Sequence, residues 1–391
     1  MLSSQRTSFH FQPEKNWMND SNGPLYYKGW YHFFYQYNPN VAAWNDIVLG
    51  HAVSIHFDPL MGADEWFDMN GAWTGSATIL PDADHNDPLL LNWFKYSGNP
   101  IVVPPPSIVY DTEDFINFKL LSGVLYGVPR TGILDDGRHD YYALGTYDDK
   151  NGKWYPHNLE IDAGMRNRYD YGMFYAPKTF YDQDKGRRWL WGWVGESDTE
   201  TNDGQLCRLN SMEPAARHRC WVLVTKRLLR IENTAKSNVD YNCSTSGGAA
   251  QRGALGPFGL LVLADDSLAE HTPEYFYVAK VINGTLKTFF CIDQSSSSVA
   301  NDIKKEIYGS YVPVLEGEKY SVRILVDHST VESLAQGGRT CITSLVYLTR
   351  AIHGAARLLL LSNAIEASVT SSLKIWQMYS EFIRPYSNEE R

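Results

Sequence analysis

The N-terminal half of the chain alternates short aromatic or apolar runs with turn-forming residues, and this pattern predicts β-strands. Residues 23–39 (GPLYYKGWYHFFYQYNP) hold two aromatic runs around Lys28 and Gly29, which is typical of a hairpin. No window shows a sustained period of 3.6 residues, so we expect few helices. Short strands at this spacing favour a propeller, a barrel or a sandwich, and the lack of a clear internal repeat leaves all three open. The further predicted strands lie at 71–80, 139–148, 153–161, 171–182 and 187–195.

The second half resumes the alternation of apolar and polar positions from about residue 241, and it predicts an antiparallel sandwich of two sheets. Gly337 and Gly338 mark a tight hairpin in this half. Between the two halves, residues 199–240 are basic and weakly patterned, and we interpret them as a linker or an insert. The expected organisation is therefore an N-terminal domain over 1–198, this linker, and a C-terminal sandwich over 241–391.

Composition narrows the function classes mainly by exclusion. The net charge of −10 argues against nucleic acid or an anionic membrane as a partner, since both favour basic surfaces. The five cysteines form no CxxC pair, which argues against a zinc site. No run approaches the roughly 18 apolar residues of a membrane-spanning helix, and the start, MLSSQRTSFHF, lacks the apolar core of a signal peptide.

Asp20, in NWMNDSNGP (16–24), is the main candidate for chemistry. Considered alone, a carboxylate between Asn and Gly residues at a strand start is typical of a turn residue that caps backbone amides. The alternative is a catalytic nucleophile. Its aromatic surroundings favour a sugar-binding site, because sugar rings stack on Trp and Tyr faces.

A series of longer motifs extends this reading. The chain resembles the plant acid invertases of glycoside hydrolase family 32, and in detail their vacuolar branch. The resemblance covers nearly the whole chain except about 200–240. It rests on ordered motifs such as FHFQPEKNWMNDSNGPLYYKGWYHFFYQYNPN (9–40), GHAVS (50–54), WTGSATILPD (73–82), RYDYGMFYAPKTFYD (168–182) and VDHSTVES (326–333).

The resemblance implies an all-β fold in which a five-bladed β-propeller precedes the β-sandwich. It implies retaining hydrolysis of terminal β-fructofuranosides, usually sucrose, with no metal or organic cofactor. The implied partner is a small sugar, sucrose or a fructan, and the implied location is the vacuole. Neither the oligomeric state nor the choice between sucrose and fructan follows from the sequence.

Several positions match the family's site residues. Asp20 matches the nucleophile, and Asp170, in RYDYG, resembles a carboxylate that binds glucosyl hydroxyls. The positions that match the lining of the family's sugar pocket are Asn19, Gln36, Trp44 and Trp73, and Thr74 follows Trp73 in the same predicted strand. The two tryptophans could instead be core residues, and the polar residues could hydrogen-bond strand ends.

Two catalytic motifs of the family are absent from this sequence. The family's Arg-Asp-Pro motif, whose Asp stabilises the transition state, does not occur. The family's Glu-Cys motif, whose Glu is the acid/base, is also missing, because no Glu precedes any of the five cysteines. The gaps resemble excised blocks, which predicts an incomplete propeller beside a more intact sandwich. The carboxylates that could replace the acid by type are Glu113, Asp114, Glu196 and Asp198.

Three hypotheses follow from these matches and gaps. The first is a β-fructofuranosidase by descent with impaired turnover; a fructosyltransferase is its close relative, although the WTGS form at 73–76 favours hydrolysis. The second is a catalytically dead sugar-binding or regulatory relative. The third is a misfolded product of skipped exons.

The resemblance also carries expectations about covalent modification. Cys243 and Cys291 match a disulfide pair of the plant members. Ser21 stands where the family usually has Pro, which creates the sequon Asn19-Asp20-Ser21. Further sequons begin at Asn242 and Asn283.

Overall fold

A computed structural model describes most of the chain in segments. Only the backbone is described at 56–61, 110–111, 119–120, 187–188 and 221–226, and at the single positions 141, 147, 154, 167, 179 and 280. The described residues are 7–8, 10–13, 16–53, 56–61, 75, 77–79, 90, 93–95, 110–111, 119–120, 141–142, 144–148, 150–151, 153–159, 167–195, 221–226, 243, 255–280, 285–352, 354–362 and 369–376.

The described residues fall into two compact units. Those within Pro13–Tyr169 and Tyr175–Trp193 form the first, here called the propeller unit. Those within Met1–Gln12, Asp170–Phe174 and Val194–Phe382 form the second, the sandwich unit. The start of the chain and a short internal segment therefore belong to the sandwich.

The described strands of the propeller unit form one four-stranded sheet, in the order β1-β2-β3-β4, and the two-stranded sheets β5-β6, β8-β9, β10-β7 and β11-β12. The strands are β1 (Trp17–Tyr27), β2 (Trp30–Asn38), β3 (Val48–Val53), β4 (His56–Met61), β5 (Tyr110–Asp111), β6 (Lys119–Leu120), β7 (Tyr141–Tyr142), β8 (Gly145–Asp148), β9 (Lys153–Pro156), β10 (Asn167–Arg168), β11 (Phe174–Asp182) and β12 (Arg187–Val194).

The hairpin predicted at Lys28 and Gly29 is confirmed. Tyr27 pairs with Trp30, so these two residues form the whole connection between β1 and β2. Their φ angles are 47° and 96°, and positive φ at both positions is what a two-residue turn needs to match the twist of the strands.

The sandwich unit contains two five-stranded antiparallel sheets, in the orders β17-β16-β15-β14-β21 and β20-β19-β18-β13-β22. A 3-10 helix, Gln336–Gly338, joins β19 to β20 at the predicted glycine turn. The strands are β13 (Trp221–Lys226), β14 (Leu255–Ala264), β15 (Thr272–Lys280), β16 (Leu286–Asp293), β17 (Ile307–Tyr311), β18 (Tyr320–Asp327), β19 (Thr330–Ala335), β20 (Thr340–Leu345), β21 (Arg357–Ser362) and β22 (Thr370–Lys374).

The sandwich core is built from alternate residues of these strands, as a period of two requires. The two sheets turn their apolar faces to each other, and the described side chains there are almost completely buried. The largest contributors are Phe258, Leu260, Phe276, Phe290, Ile292 and Ile324.

Strand β13 departs from the interpretation of 199–240 as a linker or insert. It lies between β18 and β22 as a central strand of its sheet. The basic residues around it suggested a solvated segment, but WVLVTK itself is a mostly apolar run rich in β-branched residues, which suits a strand.

The disulfide implied by the resemblance is confirmed. Cys243 and Cys291 are bonded, with their Cα atoms 5.8 Å apart. Both are buried against Tyr275, Tyr277 and Phe289, in a second small apolar cluster. The bond ties Cys243 to strand β16.

The start of the chain is anchored in the sandwich unit by a buried ion pair. Ser8 N–H donates to Asp327 Oδ1 at 2.6 Å, and His10 Nδ1 lies 2.7 Å from Asp327 Oδ2. His10 Nε2 lies 3.3 Å from Glu332 Oε2. Burial opposes the charged imidazole, but the Glu332 and Asp327 carboxylates outweigh it and raise the pKa of His10 to about 9.

A buried carboxyl group also joins the two sheets. Ser333 on β19 donates its hydroxyl to Glu274 Oε2 on β15 at 2.5 Å. Burial raises the pKa of Glu274 to about 8, so this side chain is a neutral acid at neutral pH. In the described part of the chain, no helix is long and apolar enough to cross a membrane.

Candidate active site

Asp20 occupies a β-bulge in the first strand of the propeller unit. Asn19 pairs with Gln36 and Ser21 with Tyr35, so Asp20 is an extra residue that no residue of β2 opposes. Both of its neighbours are buried, whereas Asp20 is partly exposed. A bulge bends the strand and re-aims one side chain, and here that side chain is the predicted nucleophile.

The Asp20 carboxylate is held by a tryptophan from strand β12. Trp193 Nε1–H donates to Asp20 Oδ1 at 2.8 Å, although the two residues lie 173 positions apart in the chain. Asn19 Nδ2 lies 3.5 Å from the same oxygen, at the outer limit of a hydrogen bond. Asn22 Nδ2–H donates to the Asp20 backbone carbonyl at 3.1 Å, on the other side of the bulge.

The next residues of the motif place a second segment beside the bulge. The Gly75 N–H donates to Asn22 Oδ1 at 2.7 Å. Gly23 has a φ of +40°, and a Cβ on it would lie 2.8 Å from the Cβ of Ala77. Gly23 is therefore needed both for its backbone angle and for the close approach. Asn22 and Gly23 therefore hold Gly75 and Ala77 of the WTGSA motif close to β1.

Two predicted pocket residues lie on the same strand pair as Asp20. Asn19 and Gln36 face each other across β1 and β2, and both are buried. Asn19 Oδ1 accepts a hydrogen bond from Trp17 Nε1 at 3.4 Å. The structure thus brings Asn19, Asp20 and Gln36 together at one end of the first sheet.

Trp44 lies in the loop between β2 and β3 and is 50% exposed, so it is not a core residue. The loop is organised by Asn38, whose side chain is buried. Its Nδ2 donates to the backbone carbonyls of Ala43 at 3.0 Å and Asn45 at 2.6 Å, and its Oδ1 accepts from Asn40 N–H at 2.9 Å. Asn38 therefore shapes the segment that presents Trp44.

Asp170 belongs to the sandwich unit, whereas Asp20 belongs to the propeller unit. Its Oδ1 accepts from Gly172 N–H at 2.6 Å and from Thr343 N–H at 3.0 Å, and its Oδ2 accepts from the Thr343 hydroxyl at 2.8 Å. Burial raises the pKa of Asp170 to about 6, against these hydrogen bonds. The carboxylate is engaged in the sandwich here, and its contact with a sugar stays a prediction.

The same segment extends a sandwich sheet. Tyr171 N–H and Met173 N–H donate to the carbonyls of Cys341 and Thr343 on strand β20, at 2.9 and 2.8 Å. A Cβ on Gly172 would overlap the Thr343 backbone, so only glycine fits there. Asp170 thus caps a short segment that is hydrogen-bonded along the edge of this sheet.

The remaining predictions about the site fall elsewhere in the chain. The two pocket residues Trp73 and Thr74 and the four candidate acids Glu113, Asp114, Glu196 and Asp198 lie outside the described residues. Over the described ranges, no group of three or more His, Cys, Asp or Glu residues is arranged to hold a metal ion.

Sequence reasoning missed three residues of this site. Asn22 was visible only as part of the motif, and Asn38 carried a signal in the turn-forming sequence NPN that follows the second aromatic run. Trp193 carried no usable signal, because nothing local marks a partner on a distant strand.

Comparison with known proteins agrees with this architecture. The model for the glycosyl hydrolases family 32 N-terminal domain matches residues 10–107 and 114–219, and that for the family's C-terminal domain matches 207–377. Fructan 1-exohydrolase IIa from Cichorium intybus superimposes with a TM-score of 0.77 at 28% identity, covering 92% of this chain and 95% of that one. The propeller-plus-sandwich fold is therefore confirmed.

Among characterised relatives, an acid beta-fructofuranosidase of Vicia faba is 48% identical, over 100% of this chain and 84% of that protein. A vacuolar acid beta-fructofuranosidase of a Rosa hybrid cultivar is 47% identical, over 99% and 83%. The Vicia faba match spans 536 positions, whereas this chain has 391 residues, so about 145 positions have no counterpart here. This agrees with the loss of internal blocks, and the chain belongs to glycoside hydrolase family 32.

Proposed function

We propose that this chain is a β-fructofuranosidase that acts on sucrose, with Asp20 as its nucleophile. The observation that carries the proposal is the position of Asp20 in a bulge, partly exposed, hydrogen-bonded to Trp193 and flanked by Asn19 and Gln36. The names of the relatives from Vicia faba and Rosa support the same reaction.

The proposed reaction proceeds in two steps with retention at the anomeric carbon. An oxygen of Asp20 attacks the anomeric carbon of the fructosyl unit while the bond to the glucosyl oxygen breaks. The result is a fructosyl ester of Asp20, which water then hydrolyses to free fructose. The departing glucosyl oxygen needs a proton, and this sequence has no Glu-Cys pair to donate it.

The absent motifs set the expected rate. Loss of general acid assistance typically costs about 10²–10⁴-fold, and loss of an electrostatic stabiliser about 10²–10³-fold. We therefore expect sucrose to be turned over far more slowly than by a family member that has both motifs. A catalytically dead sugar-binding protein is the second candidate, and the same two absences favour it.

We assign the pocket to Asn19 and Gln36, which lie beside the bulge, and to Trp44, Trp73 and Thr74, which match the family's pocket positions in sequence. Asn19 and Gln36 supply polar groups for the fructosyl unit, Trp44 supplies an exposed stacking face, and Trp73 and Thr74 precede the segment that Asn22 holds. Asp170 is buried and already accepts three hydrogen bonds within the sandwich unit, and we propose that it serves that unit rather than a glucosyl group.

The proposed location is the vacuole, as in the names of the Rosa and Arabidopsis thaliana relatives. An acidic compartment suits the raised pKa values of Glu274 and His10. A fluorescent fusion of the full chain in plant cells checks this, and a signal confined to the cytosol contradicts it.

Two fructosyl donors test the role of the nucleophile and the effect of the missing acid independently. Sucrose needs a proton on its leaving group, whereas the fluoride of β-D-fructofuranosyl fluoride leaves without one. We expect fluoride release to exceed sucrose hydrolysis by at least about 100-fold, and azide to accelerate it by replacing water as the second nucleophile. Asp20→Asn should abolish both reactions, and Asp184→Asn, on an exposed turn of the same unit, is the matched control.

The outcomes discriminate between the candidate functions. Release of fluoride that Asp20→Asn does not reduce contradicts the nucleophile assignment. Binding of sucrose in calorimetry, with neither donor turned over, supports the sugar-binding protein instead. Transfer of fructose to sucrose rather than to water identifies a fructosyltransferase.

A further inference from the structure

We propose that Trp193 is a positioning residue for the Asp20 nucleophile, an inference that rests on the proposed function. Its indole N–H donates to Asp20 Oδ1 at 2.8 Å, and its side chain is 4% exposed. The donor approaches from strand β12, on which no residue pairs with β1. The hydrogen bond from β12 to Asp20 is therefore made by the Trp193 side chain and not by strand pairing.

The indole ring is held in place by its own neighbours. Tyr175 on strand β11 lies edge-on to it, with ring centroids 5.4 Å apart and an interplanar angle of 89°. Next to the bulge, the Ser21 hydroxyl lies 3.5 Å from the Trp191 carbonyl. Strand β12 thus approaches β1 at two places, and the donor atom is fixed before any sugar binds.

Asp20 needs an outside support because of the bulge. As the extra residue of β1, it has no opposite residue on β2 that would fix its orientation. A nucleophile that is misplaced by about 1 Å can lose about 10²-fold in rate. An N–H bond to one carboxylate oxygen fixes the plane of the carboxylate and so the direction of attack.

An indole suits this role chemically. Its N–H is only a donor, so it cannot compete for the substrate as an acceptor, and it is far too weak an acid to transfer its proton to a carboxylate. A hydrogen bond to a charged group is about twice as strong as a neutral one. Trp193 therefore orients Asp20 without entering the proton transfers.

The same strand supplies an internal comparison. Trp189 Nε1 donates to Asp182 Oδ2 at 3.3 Å, so β12 carries two tryptophans that each bind an aspartate. Asp182 is buried and also accepts from Tyr31 at 2.6 Å, which makes it part of the framework. Trp189 is the matched control for Trp193, because both side chains are buried and both donate to a carboxylate.

The test compares Trp193→Phe and Trp189→Phe with the wild-type chain, using fluoride release from β-D-fructofuranosyl fluoride with azide present. We expect Trp193→Phe to lower kcat by roughly 10–100-fold and to leave KM within about threefold, since the hydrogen bond acts on the attack. Trp189→Phe should keep kcat within about threefold. Equal kcat values for Trp193→Phe and wild type, with Asp20→Asn inactive, overturn the inference and leave the proposed function standing.

A second measurement serves if Trp193→Phe fails to fold. In ¹H–¹⁵N spectra of the full chain, Asp20→Ala should move the indole N–H signal of Trp193 upfield and speed its exchange with water, because its acceptor is gone. The Trp189 signal should stay in place. An unmoved Trp193 signal overturns the inference. An Asp20→Asn chain that releases fluoride at the wild-type rate overturns the proposed function instead.

Discussion

Glu270 offers a quantitative test of how the sandwich unit is held together. Its side chain is fully buried and accepts from the backbone N–H groups of Val299, Thr349, Arg350 and Ala351 at 2.6–3.1 Å. The Thr349 hydroxyl donates to it at 2.5 Å. One carboxylate thus accepts hydrogen bonds from two separate loops. Replacing Glu270 measures how much this group contributes to their stability.

The magnitude follows from the donors that would lose their acceptor. A buried polar group left without a partner costs about 1–3 kcal/mol, and breaking a buried charged cluster costs about 3–5 kcal/mol. Several of these donors are only partly buried, so water can satisfy some of them. We therefore expect Glu270→Ala to lower the free energy of unfolding by about 3–5 kcal/mol. Glu270→Gln keeps one acceptor oxygen and should cost about half as much.

Hydrogen–deuterium exchange of the full chain is the assay, because peptides from the sandwich report its unfolding separately from the propeller unit. Glu316→Gln, at an exposed position of the same unit, is the control and should change exchange little. The loops around Val299 and Thr349 should lose protection first in Glu270→Ala. A destabilisation below about 1 kcal/mol, or a loss equal to that of the control, refutes the assignment of Glu270 as a structural acceptor.

Three further predictions concern the same unit. Glu274 and His10 have pKa values in the folded state above their ordinary values, so both contribute stability at acidic pH that is lost as the pH rises. Thermal scans should therefore show a Tm that falls between about pH 5 and 9. Glu274→Gln should make this fall of Tm with pH less steep. Reduction of the Cys243–Cys291 disulfide, which spans 48 positions, should lower the free energy of unfolding by roughly 4 kcal/mol in denaturant titrations; no shift of the midpoint contradicts it. Gly172→Ala should detach residues 170–174 from strand β20, because its Cβ would overlap the backbone there; unchanged exchange protection of that segment contradicts this reading.

The features that the sequence predicted have local signals. The turn at Lys28 and Gly29 needs only two residues with positive φ between two aromatic runs. The connection predicted at Gly337 and Gly338 is also present, as a four-residue loop that contains a 3-10 helix. Apolar and polar residues alternate with a period of two along the sandwich strands, so the residues that face the core can be predicted from each strand's own sequence. The disulfide came from the resemblance, and the structure agrees with it.

The features that escaped prediction depend on contacts across the fold. Strand β13 was not predicted because its six residues lie among many charged residues. Its place between β18 and β22 depends on pairing with distant strands, which its own sequence does not show. The bulge at Asp20 is a register shift between β1 and β2, which no composition rule detects. The Asp170 hydrogen bonds to Thr343 join residues 173 positions apart, a separation that a motif cannot reveal.

The motifs that this chain retains and the motifs that it lacks belong to different parts of the proposed reaction. The first sheet carries Asn19, Asp20 and Gln36, and it is four-stranded in the described structure. Strand β12 adds the donor Trp193. In the proposed reaction, these groups serve the attack on the anomeric carbon. The motifs that would protonate the leaving group and stabilise the transition state are the ones that the sequence lacks. Attack and protonation should therefore be separable here, which is why the identity of the leaving group, more than the affinity for sugar, decides whether this protein acts as an enzyme.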